Sequence, residues 1–375
     1  MSHFCPAYPR PRTTRTGMLK FFFSARTSWI DGLYERSYHM QMGEVHLPGA
    51  DLYMVNDPVE VKRVLQSQTQ DFPKSALLAD ALQPLLGHSV FTTNGQTWQR
   101  QRDMMGPAFA QARLQVAFPV MKEVTDAMLE RLDRLPEGAE HDVEVEMTFV
   151  TADIIFRTIF SQPLQGPDAH RVFEAFARFQ ALAPKLMLPV MYGLRWLVWP
   201  WDVWRSQRAA RQIRGLLEGF IRPRHAAYLR DGGSAETDIL ASFMAARDAV
   251  SGQPFEFNEL VDQVAMLFLA GHETSASALT WACYLLAKTP EVQERVHTEV
   301  IKQLQGRSVA QSDLKPMQLT WNVFRETLRL FPPVGFMVRE SAKSCPMRDK
   351  TVPQGASILI SPWLIHRHRL WWQEP

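Results

Sequence analysis

The chain has 375 residues, of which 46% are hydrophobic and 21% charged, and its formal net charge is +2. This near balance excludes the strongly basic surface that nucleic-acid binding requires, so no nucleic-acid partner is expected. The three cysteines, Cys5, Cys283 and Cys345, are far apart in the sequence, which excludes a disulfide framework and favours a reducing, cytoplasmic location.

Residues 1 to about 30 are expected to form an N-terminal extension of uncertain order. The basic residues that precede Asp31 faintly suggest a transit peptide. Pro6, Pro9 and Pro11 would interrupt the amphipathic helix that such a peptide needs. Targeting is therefore the weaker interpretation.

Helical periodicity dominates the rest of the chain. Apolar residues recur at helical spacing between turn-forming breaks. The predicted helices cover residues 57–65, 96–106, 114–135, 144–160, about 170–182, 202–230, 236–248, 258–288, 290–304 and 317–330. Thr289 is predicted as the N-cap of the helix that begins at Pro290.

Strand patterns are short and occur near both ends of the chain, at residues 43–56 and 337–363. Antiparallel or mixed pairing between these segments would join the start of the chain to its end. The predicted fold class is mainly α: one helix-rich domain over residues 1–375 with small β-sheets.

Two apolar stretches have to be weighed as membrane spans. Residues 264–287 are long enough, but they hold His272 and Glu273 near the middle, where a charge is most costly. Residues 186–204 are interrupted by Pro189 and Pro200. A membrane-spanning protein is therefore the weakest alternative.

The second of these stretches is rich in tryptophan. Its indole side chains favour either peripheral contact with a membrane surface or aromatic packing between two helices. They belong to Trp196, Trp199, Trp201 and Trp204.

The segment "FLAGHETSASALT", residues 268–280, puts ionisable side chains into an apolar helix. A zinc-protease helix is excluded because Ala276 stands where the second histidine would be. Helical spacing puts Ala270, Glu273 and Thr274 on one face. The Thr274 hydroxyl is expected to bond to the Ala270 carbonyl and, with Gly271, to bend the helix. The alternative is a buried glutamate that a structural partner satisfies.

Two further segments place polar groups on shared helix faces. In "FRETLRLFPP", residues 324–333, Glu326 and Arg329 are three apart and form either an exposed pair or a buried clamp. In "NGQTWQRQR", residues 94–102, Trp98 and Arg102 are four apart. Their donors suit a carboxylate, although core packing of the tryptophan explains the spacing equally well.

Taken together and in this order, "WQRQR", "AGHET" and "ETLR" followed by "FPP" resemble the cytochromes P450, the haem-thiolate monooxygenases. The resemblance runs from about residue 30 to the last residue. It includes "TADIIFRTIF", "PPVGFMVRES", "VPQGASILISPWLIHRH" and "WWQEP". It implies the mostly helical cytochrome P450 fold, with residues 258–288 as the long central helix.

The resemblance also implies roles around haem b. Glu273 and Thr274 would be the catalytic residues, delivering protons to dioxygen on the distal haem face. Ala270 and Gly271 would form the oxygen groove, and His272 would point away from the iron.

Other implied roles concern the edge and the proximal side of the haem. The haem propionates would be held by Trp98, Arg102 and Arg339. Glu326 and Arg329 would form the structural clamp near the proximal side.

The implied substrate is a hydrophobic small molecule such as a lipid, terpenoid or alkyl compound. Its cavity would draw on residues 77–91, residues 186–204, Ala270 and Val334–Val338. Dioxygen is the second substrate. Electrons from NAD(P)H would arrive through an external ferredoxin or flavoprotein reductase, since the sequence shows no redox domain of its own.

The sequence departs from the family pattern at the iron ligand. The expected glycine-flanked cysteine loop lies beyond Pro375, and neither Cys5, Cys283 nor Cys345 has such surroundings. No metal ligand is therefore assigned, and Cys283 is read as a small core residue. We expect a C-terminally truncated and inactive chain that lacks the ligand loop and the last helix. The alternative is a non-catalytic, haem-free remnant that binds a hydrophobic ligand or nothing.

Overall fold

The structure is a computed structural model that describes residues 4–6, 8–13, 30–47, 50–164, 167–191, 198–234 and 237–373. Much of the predicted N-terminal extension, residues 14–29, lies outside them. Arg12 is joined to the body of the protein by backbone hydrogen bonds with Leu33 and Glu35, each 3.0 Å long. This part of the extension is therefore attached to the fold.

Helices make up most of the described residues. In chain order they are α1 (Pro58–Lys62), α2 (Ala76–Leu86), α3 (Gly95–Met105), α4 (Gln111–Asp133), α5 (Val143–Phe160), α6 (Pro167–Met191), α7 (Pro200–Asp231), α8 (Ile239–Ala245), α9 (Phe257–Lys288), α10 (Pro290–Leu304), α11 (Gln311–Leu314), α12 (Gln318–Leu330) and α13 (Pro362–Ile365). A π-helical turn, Arg63–Ser67, continues α1.

The long predicted helices are confirmed, with bounds that shift by a few residues. The clearest omission from the predicted helices is α2, which contains Pro84. Pro84 lies in the last turn of α2, where it has no N–H to donate to the carbonyl four residues earlier, so the helix forms with one backbone hydrogen bond fewer. The prediction also ended α6 too early, since the helix continues through Pro189 to Met191.

The start of α10 is confirmed, but its capping chemistry is not. Thr289 is the N-cap and Pro290 the first helical residue. The Thr289 hydroxyl does not cap α10. It donates instead to the Leu285 carbonyl of α9, at 2.7 Å.

Mixed pairing between the two ends of the chain is confirmed. The strands are β1 (Met42–Leu47), β2 (Ala50–Val55), β3 (Met337–Glu340), β4 (Cys345–Met347), β5 (Lys350–Val352) and β6 (Ser357–Ile360). The larger sheet has the order β1-β2-β6-β3, with β2 parallel and β3 antiparallel to β6. A separate β4–β5 hairpin was not predicted.

The main core surrounds α9, which packs against α5, α7 and α8. Aromatic rings fill it: Phe268 of α9 lies 4.7 Å from Phe176 of α6 and 6.3 Å from Phe156 of α5, measured between ring centroids. All three rings are buried. Within the described residues, no helix combines the length and the apolar character that crossing a bilayer requires.

The segment after α2 is attached to α9 by the buried carboxylate of Asp262. Asp262 accepts from the His88 backbone N–H at 2.8 Å and from Arg214 of α7 at 2.6 Å. Gly87 has a φ of +49°, and a Cβ at Gly87 would lie 2.1 Å from an Asp262 oxygen. Only glycine adopts this positive φ without strain and leaves room for the Asp262 carboxylate. Gly87 therefore lets this segment approach α9 closely.

Candidate active site

The predicted polar face of α9 exists. The Thr274 Oγ1 donates to the Ala270 carbonyl at 2.8 Å, which confirms the predicted bond. Ala270 and Glu273 are exposed and Thr274 is half-buried, in contrast to the buried residues that precede them in the helix. The helix is unbroken at Gly271, and the predicted bend stays a prediction.

This face borders a cavity of about 620 Å³. Glu273, Thr274 and Ser277 supply its polar wall. The remaining lining residues are mostly apolar and come from the sheet, from α2 and from the segment between α12 and β3: Ile30, Leu52, Leu77, Leu78, Leu82, Phe91, Pro332, Pro333, Val334, Gly335, Phe336, Val338 and Leu359, together with Ser75 and Ser357. Such a size and composition suit a hydrophobic small molecule.

Two of the four parts predicted to line the substrate cavity border this space. Residues 77–91 and Val334–Val338 contribute to the wall. Neither Ala270, nor Leu186, nor any of residues 198–204 lines this cavity. Residues 192–197 and the side chains of residues 187–191 lie outside the described part of the chain.

Glu273 has a specific partner that the sequence did not reveal. Gln180 of α6 donates from Nε2 to Glu273 Oε2 at 2.7 Å. Glu273 faces the cavity, yet the protein around it displaces bulk water, and this burial raises the pKa of its carboxyl. The Gln180 hydrogen bond opposes that effect. A carboxyl held this way is suited to exchanging protons with the cavity.

Gly271 lies on a different face of α9 from Ala270. A Cβ at Gly271 would lie 3.0 Å from Ile155 Cγ1 of α5. Gly271 lines a second cavity, of about 670 Å³, with Thr151 and Ser275. One residue along an α-helix turns the side-chain direction by about 100°, which separates Gly271 from its neighbour. An oxygen-groove role for Gly271 would therefore depend on its backbone alone.

His272 is buried among aromatic rings, on the side away from the first cavity. Its Nδ1 lies 2.6 Å from the Phe268 carbonyl oxygen, and its ring meets Phe176 edge-on. Burial lowers the pKa of the imidazole. The expectation that His272 points away from the iron stays a prediction.

Two cations meet beside the cavity without an acidic partner. Lys74 and Arg339 form a backbone bridge, and their side chains are each half-buried. Lys74 Nζ donates to the Val90 and Thr93 carbonyls at 2.9 and 2.7 Å, and Arg339 Nη1 donates to the adjacent Val338 carbonyl at 3.0 Å. Among the described residues, no carboxylate forms a salt bridge with either cation.

The electrostatics of this pair favour an added anion. Burial, and then repulsion from Arg339, lowers the pKa of Lys74 to about 8. Burial likewise lowers the pKa of Arg339. An anion placed between the two side chains would relieve both effects. Sequence reasoning missed Lys74, although an isolated lysine directly before an apolar helix was a usable signal.

The two other predicted propionate ligands differ in their surroundings. Trp98 of α3 is half-buried. The centroid of its ring lies 5.2 Å from Lys74 Nζ, so Trp98 is next to the Lys74–Arg339 pair. Its indole N–H has no hydrogen-bond acceptor among the described residues. Arg102, one turn along α3, is exposed and makes no hydrogen bond or ion pair within the described residues.

The Glu326–Arg329 pair was predicted to be either exposed or buried, and the structure shows one side chain of each kind. Arg329 donates to Glu326 through two hydrogen bonds, 2.8 and 2.7 Å long. The Arg329 side chain is 13% exposed and that of Glu326 is 52% exposed, so only the arginine is buried. Arg329 also donates to the His366 carbonyl at 2.9 Å, which fixes the end of α12 to the segment after α13.

Comparison with known proteins decides the family. The cytochrome P450 family profile matches residues 33–375. The chain is a cytochrome P450. By family it is therefore a P450 monooxygenase, and the predicted fold class is confirmed.

Relatives of this cytochrome P450 include two oxygenases from Streptomyces. Cyclooctat-9-en-7-ol 5-monooxygenase of Streptomyces melanosporofaciens is 29% identical over 367 residues, covering 96% of this chain and 77% of that protein. Pentalenene oxygenase of Streptomyces avermitilis is 27% identical over 333 residues, covering 88% of this chain and 71% of that protein. The structure of retinoic acid-bound cyanobacterial CYP120A1 superposes with a TM-score of 0.72 at 24% identity. The superposition covers 87% of this chain and 70% of the CYP120A1 chain.

The family implies a haem cofactor, and the residues present fit one. A largely apolar cavity suits the porphyrin, while Lys74 and Arg339 supply two cations that lack carboxylates, as haem propionates would require. None of the three cysteines lines this cavity within the described residues. Cys5 and Cys283 are exposed, and Cys345 is buried. The exposure of Cys283 corrects its expected core position.

Proposed function

We propose that this cytochrome P450 inserts one oxygen atom from dioxygen into a hydrophobic organic substrate and uses haem b as its cofactor. The observation that carries the proposal is the cavity itself. It brings the Glu273–Thr274 face of α9 and an apolar wall into one space beside the Lys74–Arg339 cation pair. Leu52 and Leu359, from opposite ends of the chain, both line it, which supports a single domain over residues 1–375.

Lys74 and Arg339 would hold the haem propionates, with the Trp98 N–H as a further donor. Charge-assisted hydrogen bonds of this kind are stronger than neutral ones, and the low local dielectric increases the gain. Arg102 would contribute through its long side chain, which has no partner among the described residues. We assign no axial ligand to Cys5, Cys283 or Cys345, and we propose that thiolate ligation is not supplied by these residues.

Haem would supply the metal centre at which dioxygen is activated. The protein's own contribution is proton supply and the exclusion of water. Because the Thr274 hydroxyl hydrogen is directed to the Ala270 carbonyl, its oxygen is free to accept a hydrogen bond from a donor in the cavity. Burial moves the pKa of Glu273 toward neutral pH. A carboxyl whose pKa is closer to the working pH both donates and recovers a proton more efficiently.

The substrate class we propose is a terpenoid or a similarly apolar ring compound. The many aliphatic side chains in the cavity wall support it. The names of two relatives, which refer to cyclooctat-9-en-7-ol and pentalenene, support it further. Electrons would come from NAD(P)H through a separate ferredoxin or flavoprotein reductase.

The test is oxygen transfer from isotopically labelled dioxygen. A protein that contains this chain followed by the expected cysteine loop is loaded with haem and incubated with NADPH, a ferredoxin, its reductase and pentalenene under ¹⁸O₂. The products are analysed by mass spectrometry. We expect a product with one ¹⁸O atom, and less of it from Thr274→Ala than from Ser275→Ala, because Ser275 lines the second cavity. Label from water instead of dioxygen would contradict the proposal. Absence of product from a panel of apolar ring compounds, together with no thiolate-type carbon monoxide spectrum, would support the non-catalytic alternative.

A further inference from the structure

Two serines interrupt the apolar wall of the cavity that Glu273 and Thr274 border. Ser75 directly precedes α2, Ser357 is the first residue of β6, and both line the cavity. The other lining residues from α2 and from the sheet are all aliphatic. We call Ser75 and Ser357 the serine pair.

The Ser75 hydroxyl is buried in the cavity wall without a protein partner. Ser75 is the N-cap of α2, where a serine hydroxyl normally accepts from a backbone N–H of the first turn, but it forms no such bond. Glu340 of β3 takes that place, since its Oε2 accepts from the Ala76 N–H at 3.4 Å. Ser75 is only 1% exposed. Within the described residues, its hydroxyl therefore has no hydrogen bond.

The sheet places Ser357 close to Ser75. Ser357 is paired with Glu340 in the β3–β6 register, and Glu340 reaches the residue after Ser75, so the two serines flank one carboxylate. Side chains alternate along a strand. Ser357 and Leu359 accordingly line the cavity, while Ile358 between them belongs to the core on the other face. The half-buried Ser357 hydroxyl likewise has no hydrogen bond within the described part of the chain.

The backbone around Ser75 is fixed by hydrogen bonds on both sides. The Lys74 N–H donates to Asn94 Oδ1 at 3.0 Å, and Asn94 Nδ2 donates to the Lys74 carbonyl at 3.1 Å. The Glu340 N–H donates to the Pro73 carbonyl at 2.9 Å. A hydroxyl on such a backbone loses little further freedom when it binds a ligand.

We propose that the serine pair recognises a hydroxyl group on the substrate, so that an apolar ring alcohol binds in preference to its parent hydrocarbon. An alcohol can accept from one serine and donate to the other. A hydrocarbon in the same place would bury both serine hydroxyls without partners, which is unfavourable. Sites built in this way discriminate against the analogue that lacks the polar group. The inference rests on the proposed function, because it assigns a substrate class to the same cavity.

A haem propionate is a poorer partner for the serine pair. Lys74 and Arg339, to which the propionates are assigned, are not among the residues that line the cavity. The Glu340 carboxylate beside Ser75 would repel a second carboxylate at this point. The same carboxylate can accept a hydrogen bond from a neutral alcohol. The charge at this position therefore favours an alcohol over a propionate.

The test is equilibrium dialysis in sealed cells with two matched ligands, cyclooctanol and cyclooctane. The protein is the haem-loaded one of the oxygenation test, and gas chromatography measures the bound ligand, so neither dioxygen nor electrons are needed. We expect Ser75→Ala to bind cyclooctanol about tenfold more weakly than the wild type and cyclooctane about equally well. Ser357→Ala should show the same pattern with a smaller effect. Ser275→Ala, which removes a hydroxyl from the second cavity, should bind both ligands like the wild type.

Retained binding of cyclooctane shows that a variant still has an intact cavity. An equal preference for the alcohol in the wild type and in Ser75→Ala would overturn the inference. Weaker haem binding by Ser75→Ala with an unchanged alcohol preference would assign this hydroxyl to a propionate and overturn it as well. If Ser75→Ala binds neither ligand, the alcohol preference of Ser357→Ala decides in the same way. Labelled product in the oxygenation test would still support the proposed function after either negative result.

Discussion

Gln180 of α6 donates a hydrogen bond to Glu273 of α9, with 2.7 Å between Nε2 and Oε2. This contact joins a helix above the cavity to the acid that faces it. Because the bond favours the ionised carboxylate, it opposes the effect of burial on the Glu273 pKa. Gln180 is therefore a positioning residue for the acid, and movement of α6 would change the acid's proton affinity.

Gln180→Leu should raise the pKa of Glu273 further, since it removes the one interaction that lowers it. Infrared spectra recorded across a pH titration, with Glu273→Gln subtracted, would report this carboxyl. Gln99→Leu is the control, because Gln99 is exposed and bonds to Asp103 instead. A Glu273 pKa that is unchanged or lower in Gln180→Leu would show that the hydrogen bond has no such role.

Glu273→Gln should stabilise the protein at neutral pH. In the unfolded chain the carboxyl titrates near its ordinary pKa, about 4.3. In the folded protein the pKa is raised, so the folded state binds the proton more tightly. The free energy of unfolding therefore falls as the pH rises from the unfolded pKa through the folded one.

At pH 7.5 we expect Glu273→Gln to gain a few tenths to about 1 kcal/mol, because solvent in the cavity screens much of the cost. The gain should largely disappear at pH 4, where most of this carboxyl is protonated in both states. Urea unfolding at the two pH values measures it. A variant that is less stable than the wild type at pH 7.5 would contradict the assignment of an unfavourable buried charge.

Lys74 should be unusually reactive toward acylating reagents. With a pKa of about 8, roughly a quarter of Lys74 is neutral at pH 7.5, against about 0.1% for an ordinary lysine. Mass spectrometry after brief acetic anhydride treatment should show Lys74 modified about tenfold faster than Lys343, allowing for its partial burial. Lys343 is exposed and pairs with Asp71. Modification of Lys74 at the same rate as Lys343 or slower would contradict the lowered pKa of Lys74.

Gly87→Ala and Gly95→Ala form a matched pair. Both glycines have a positive φ, +49° and +59°. A Cβ at Gly95 meets nothing within 4 Å, whereas one at Gly87 collides with Asp262. We expect Gly95→Ala to cost about 1 kcal/mol and Gly87→Ala about 3 kcal/mol or more, because the buried Asp262 network must also break. Equal costs by urea unfolding would show that Asp262 does not hold the segment after Gly87.

Features encoded locally could be predicted from the sequence. The long helices follow from apolar periodicity, and the Thr274–Ala270 bond follows from spacing within one helix. The Glu326–Arg329 pair is local in the same sense. For these features a few consecutive residues contain all the necessary information.

Features created by long-range packing could not be predicted from the sequence. Lys74 and Arg339 are brought together by the approach of chain segments from the two ends, so neither segment alone reveals the pair. Gln180 meets Glu273 only because α6 packs over α9. The contact of Gly271 with Ile155 likewise depends on the packing of α9 against α5.

The most direct test of the account is haem binding to the Lys74–Arg339 pair. Haem is titrated into the wild type, into Lys74→Met/Arg339→Met and into Arg325→Met/Lys343→Met, which removes the same charge from exposed positions, and binding is followed by absorbance and by quenching of tryptophan fluorescence. We predict that the first double variant binds haem about 100-fold more weakly than the wild type and that the control matches the wild type. Equal haem affinity in all three proteins would contradict the assignment of this cation pair to the propionates.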